Sequence, residues 1–195
     1  MDLDIGTDVD IPTIRWDQLR NLAKVYFLRG ELEHSEHLLL DAKRIFTRID
    51  RPNSLARVLD NLGLVYRTRR ALAEAEKLFR DALAIYRGTN NEEGTSTVLN
   101  NIELLYKDRG DLEAAEKSCR EALSLNQNLG LQEKMATNHC NLAKIAELRG
   151  AYDTATRELQ VALELFHALV LPDRVTEMER WLSRISVRQR PEPPV

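Results

Sequence analysis

From Trp16 onward, apolar residues recur at three- and four-residue spacing, and that recurrence itself repeats every 40 residues. Leu19, Leu22, Ala23, Tyr26 and Phe27 make one face of a helix that stops near Gly30. Leu32, Leu39, Ala42, Ile45 and Phe46 make the face of a second, from about Glu31 to Ile49. The turn between them is very short, so the two form an antiparallel hairpin. Three more copies follow without a gap. The columns read Leu22, Leu62, Ile102, Leu142; Tyr26, Tyr66, Tyr106, Ala146; Leu32, Leu72, Leu112, Tyr152; Ser35, Ala75, Ala115, Ala155; and Ala42, Ala82, Ala122, Ala162. A period this strict predicts an all-α solenoid of four helical hairpins, about 16–55, 56–95, 96–135 and 136–172.

The turns carry their own signals. Gly30, Gly110 and Gly150 suit the left-handed residue that ends a helix, whereas Arg70 stands in the same column at a penalty of about 1 kcal/mol if it adopts that conformation. Arg51-Pro52-Asn53, Asn90-Asn91-Glu92, Gly130-Leu131 and Leu171-Pro172-Asp173 separate the hairpins. A ninth helix, about 173–187, has no partner and carries Glu177, Arg180 and Arg184, as expected of a helix that caps an array. The repeat domain thus spans 15–187, between an acidic arm over 1–14, where aspartates alternate with aliphatic residues, and a proline-rich tail over 188–195.

Composition narrows the function. A net charge of -3 gives no argument for nucleic acid or an anionic membrane as partner, so the partner expected is protein. The N-terminal residues lack the basic and apolar regions of a secretory signal and no 18-residue apolar run occurs, which predicts a cytoplasmic chain without a membrane span. Cys119 and Cys140 fall within helical patterns, where burial as small apolar side chains is expected. His34 and His37, with Glu33 and Glu36, fall short of a metal site because further ligands are missing. Cys140 neighbours Asn141 and could be reached from the groove, yet no His and acid stand at a nucleophile's spacing, and no glycine-rich phosphate loop occurs. The reading is a non-enzyme with no cofactor and no metal.

Leu62-Gly63, Tyr66, Ala75, Phe79 and Ala82 resemble the signature of the tetratricopeptide repeat family in its 40-residue form, as in kinesin light chains, LGN-type polarity adaptors and bacterial regulatory arrays. The resemblance covers about 16–187. It departs from the family where Leu19, Leu59, Leu99 and His139 replace the early Trp, where the late Pro is missing, and where Glu103 stands in the column of Ala23, Gly63 and Ala143. What the resemblance implies is a right-handed superhelix whose first helices line a concave groove. Asn21, Asn61, Asn101 and Asn141 fall in the column that grips the main chain of an extended peptide in similar proteins. An amide suits that task because it offers both a donor and an acceptor to a peptide unit of any sequence. The same column could instead order the stack.

Selectivity would fall to the neighbours. Arg20, Lys24, Arg57, Arg67, Lys107, Lys144, Arg180 and Arg184 outnumber Asp17, Asp60, Asp108, Glu147 and Glu177 on the expected inner face, and Asn100 adds a further amide. The expected ligand is therefore an extended acidic segment of a partner protein, and the expected function a scaffold or adaptor. The alternative is a self-assembling module whose groove takes its own or a neighbour's residues 1–14, the latter giving a homodimer.

Overall fold

Each hairpin signal becomes a pair of helices of nearly equal length. A computed structural model of the chain describes residues 13–188, with side chains from Gln18 on. Among the described residues there are nine helices: α1 Thr13–Leu28, α2 Leu32–Arg48, α3 Pro52–Thr68, α4 Leu72–Gly88, α5 Glu92–Arg109, α6 Leu112–Asn128, α7 Gln132–Leu148, α8 Tyr152–Ala168 and α9 Pro172–Arg188. The fold is all-α, four consecutive hairpins of the solenoid class followed by a single helix. Thr13 and Ile14, expected in the arm, are helical. A pattern-based start waits for the first apolar periodic residue, whereas backbone hydrogen bonding takes in the residues before it. The rest of the arm, 1–12, and most of the tail, 189–195, lie outside the described residues.

The described residues form two compact units, divided within α4 between Ile85 and Tyr86. In the first, Ala23, Leu39, Ala42, Phe46, Val58, Leu62 and Val65 gather into one core from α1, α2 and α3. Phe79 of α4 is fully buried there. Its ring lies on Gly63, where a Cβ would come within 2.5 Å of the ring. In the second unit Tyr86 meets Gly94 in the same way, a Cβ at Gly94 falling 2.5 Å from the ring. The core of α7, α8 and α9 joins Ala143, Leu159, Phe166, Met178 and Ile185. Glu177, Glu179, Arg180, Ser183 and Arg184 leave α9 a polar outer face, the property a terminal helix of an array requires.

The helix ends show where sequence and backbone disagree. Gly30, Gly110, Gly130 and Gly150 take positive φ, and so do Asp50, Arg70, Asn90 and Val170. At Val170 (φ 55) the amides of Val170 and Leu171 donate to the carbonyls of His167 and Phe166, the paired bonds of a left-handed helix stop. A β-branched side chain in that region is strained, and Val170 is 81% exposed, so it packs on nothing that would offset the strain. Val170→Gly is expected to stabilise the protein by about 0.5–1 kcal/mol, the relief being partly cancelled by the freer unfolded chain of a glycine. A higher urea midpoint is the expected reading; a lower one would mean that Val170 is held by contacts of its own.

Candidate peptide-binding site

The asparagine column lies on the first helix of every hairpin, α1, α3, α5 and α7, and helical spacing places beside each asparagine the residues three and four positions away. In the first unit, α1 and α3 are in contact. Asn21 and Lys24 are exposed on α1; Arg57 is exposed and Asn61 half-buried on α3. Arg20 donates to Asn21 Oδ1 at 3.3 Å. Asn61 makes no side-chain hydrogen bond among the described residues, and Arg67 is half-buried and already engaged. In the second unit Asn101 and Asn141 are half-buried; Asn101 is engaged, while the Asn141 side chain has no hydrogen bond among the described residues.

Three other expected ligands bind the protein's own residues. Asn100 Oδ1 accepts from Asn138 Nδ2 at 2.6 Å. Lys107 Nζ lies 2.9 Å from Glu103 Oε1, and the Glu103 side chain is wholly buried. Lys144 Nζ lies 3.0 Å from Glu147 Oε2 and 5.8 Å from the centre of the Trp181 ring. The second unit therefore offers a ligand less positive charge than a count of lysines implies, since the count omits Glu103.

Glu103 fits because the opposing position has shrunk. Gly63 is followed 16 residues later by Phe79; Glu103 is followed at the same spacing by Cys119. Both Glu103 and Cys119 are fully buried, and the carboxylate bears electrostatically on the thiol. Where the second hairpin joins a small residue to a large one, the third joins a large residue to a small one.

A buried polar chain runs beside this pair. Ser96 Oγ donates to Asn126 Oδ1 at 2.7 Å, Asn126 Nδ2 to Asn138 Oδ1 at 2.7 Å, and Asn138 Nδ2 to Asn100. Sequence reasoning passed over it, yet the columns carry the signal. Ser96 aligns with Ala56 and Ala136, Asn126 with Phe46, Tyr86 and Phe166, and Asn138 with Val58, Val98 and Met178. Trp181 was missed too, although it stands 40 residues after Asn141 in the asparagine column. Its Nε1 donates to Glu147 Oε2 at 3.1 Å, and Arg188 Nη1 donates to Glu147 Oε1 at 2.7 Å. Burial alone would raise the Glu147 carboxyl, but Lys144, Trp181 and Arg188 together hold it below the ordinary carboxylate range.

The remaining candidate chemistry has a structural account. Burial above all pushes the Cys119 thiol up to about 12 and the Cys140 thiol to about 11, so both stay protonated and poorly nucleophilic at neutral pH. His34 stacks on Tyr26 with ring centres 5.2 Å apart. Among the described residues no group of three or more His, Cys, Asp or Glu is placed to hold a metal ion, and no helix is long and apolar enough to cross a membrane.

The family model described as the MalT-like TPR region matches residues 13–190. Among solved structures, the chain is similar to the apo form of RapI, at 17% identity over 89% of this chain and 48% of that one, with a TM-score of 0.76. It is similar to a signal transduction ATPase with numerous domains carrying a tetratricopeptide repeat sensor, from Pyrococcus horikoshii, at 20% identity over 91% of this chain and 28% of that one, TM-score 0.78. BtubC (BKLC) from P. vanneervenii is 19% identical over 92% of this chain and 84% of that one, TM-score 0.69. At these identities the likeness is one of fold. No curated protein matches the chain at a significant level.

Proposed function

Because the chain belongs to the MalT-like TPR family, whose repeats mediate protein–protein interaction, we propose that it is a non-catalytic adaptor whose first-helix faces hold an extended acidic segment of a partner protein. The observation that carries this reading is Asn61. Its amide has no hydrogen bond among the described residues, and the exposed Arg57 lies one turn before it on the same face. The amide would hold a peptide unit through its donor and acceptor, and the guanidinium would attract a carboxylate on the same strand. Asn21 and Lys24 add an exposed amide, its Oδ1 accepting from Arg20, and an exposed cation on the neighbouring α1, which is why the first unit is the better supported face.

A labelled peptide with the sequence of residues 1–14, MDLDIGTDVDIPTI, supplies alternating carboxylates as a probe. Asn61→Ala and Arg57→Ala are each expected to weaken its binding by about 1–3 kcal/mol in fluorescence polarisation, with little change in melting temperature. Variants that bind normally and melt earlier would make the asparagine architectural and end this reading. The alternating pattern of residues 1–14 also supports the alternative of self-assembly. Deleting 1–12 should then tighten binding of the probe and dissolve a dimer seen by light scattering; a monomer with unchanged affinity would dismiss it.

A further inference from the structure

The repeat contains its own evidence for a second site, about 140° around α7 from Asn141 and independent of the adaptor reading. In the first unit, Tyr66 of α3 donates its hydroxyl to Glu36 Oε1 of α2 at 2.5 Å, while Arg69 pairs with Glu36 Oε2. Eighty residues on, Glu116 and Arg149 repeat the acid and the arginine, and Arg149 pairs with Glu116 Oε2. The tyrosine alone is missing: Ala146 holds its column. In its place is a cavity of about 220 Å³, lined on its apolar side by Leu142, Ile145 and Ala146 and otherwise by Glu116, Thr154 and Glu158, the last held by His139 Nδ1 at 2.7 Å. Thr154 stands where the first unit has Glu74, a residue whose charge reaches the Tyr66 hydroxyl, so the slot lacks that second carboxylate.

We infer that the cavity at Ala146 is a binding site for a phenolic ring, whose hydroxyl donates to Glu116 as Tyr66 donates to Glu36. Size permits it, since an engineered cavity of about 150 Å³ accepts benzene. The apolar floor takes the ring, and the carboxylate gives the hydroxyl an ionised acceptor, a stronger hydrogen bond than a neutral one. One feature governs access. Arg120, which replaces Leu40 of the first unit, donates to Glu116 Oε1 through Nε at 2.9 Å and Nη2 at 2.7 Å. Its side chain is 55% exposed, so it can swing into solvent and release the oxygen. Arg120 first and Arg149 after it hold the Glu116 carboxyl below its ordinary range against the effect of burial, which keeps it an acceptor at neutral pH.

The phenol can be a free small molecule or a tyrosine of a bound partner, and titration calorimetry with p-cresol, toluene and N-acetyltyrosinamide separates these. The expected result is saturable one-site binding of p-cresol, with amide resonance shifts centred on Ala146, Arg149 and Thr154. Toluene should bind at least about tenfold more weakly, and Glu116→Gln should weaken p-cresol by about tenfold or more. Arg120→Leu should tighten binding, and Ala146→Tyr should abolish it by filling the slot from within. Binding of N-acetyltyrosinamide as tight as that of p-cresol assigns the slot to a partner's tyrosine, and binding of p-cresol alone assigns it to a free phenol. No saturable binding, toluene equal to p-cresol, or undiminished binding by Ala146→Tyr overturns the proposal. If Ala146→Tyr does not fold, the resonance map of the unaltered chain decides: shifts elsewhere overturn it equally. Asn61→Ala should leave p-cresol binding unchanged, so the two sites fail or stand separately.

Discussion

Phe79→Ala should destabilise the first unit by about 3–5 kcal/mol, the range for deleting a fully buried phenyl ring. Its ring has no solvent exposure and rests on a backbone position where only glycine fits, since a Cβ at Gly63 would stand 2.5 Å from it. Gly63→Ala alone should therefore force the ring aside at about 1–3 kcal/mol. The informative variant is the pair. With the ring gone, the methyl at position 63 occupies part of the void, so the double variant should be less destabilised than the sum of the two single changes. Urea unfolding, with hydrogen exchange to assign the loss to residues 1–85, reads both effects. A loss below about 1 kcal/mol for Phe79→Ala would mean that the repeat register is wrong. Strict additivity would mean that the ring does not rest on Gly63.

That register was legible because small and large residues recur at fixed offsets, and a 40-residue period fixes which positions share a packing role. Leu62, Ala75, Phe79 and Ala82 are all buried where the columns place them, whereas Tyr66, expected with them, is only half-buried because its hydroxyl reaches out to Glu36. The candidate site was less legible because a column assigns a position and not a partner. Lys107 and Lys144 stand on helix faces that a period identifies, but each is drawn to a carboxylate one turn away, Glu103 and Glu147. Asn100 meets Asn138 across 38 residues, a contact that shows only once α5 and α7 have both packed on α6. Departures from the columns were the stronger signal. Glu103 read singly is a charge in a small-residue column; read with Cys119, it is half of a volume exchange. Ala146 is a departure of the same kind, its missing ring visible only against Tyr66.

The departure with the largest energetic consequence is Asn138. It is completely buried in a column that holds Val58, Val98 and Met178 and, at its exposed first member, Gln18, and its amide joins Asn126 to Asn100. Asn138→Ala should cost about 2–4 kcal/mol, because it strands the Asn126 amide in the core and removes the donor from Asn100, each unsatisfied group being worth about 1–3 kcal/mol. The loss should come from the second unit, with the first unchanged in hydrogen exchange. Removing the network as a whole should behave differently. Ser96→Ala, Asn126→Leu and Asn138→Val together make all three buried positions apolar, and Asn100 is only half-buried, so water can meet its freed oxygen. The triple variant should lie within about 1 kcal/mol of the unaltered protein, since replacing mutually satisfied polar partners by apolar groups of similar shape is nearly neutral. A single Asn138→Ala as stable as the parent would show that the amides are not paired in the core. A triple variant as unstable as the single one would show that the polar chain holds α5, α6 and α7 together in a way apolar packing cannot replace.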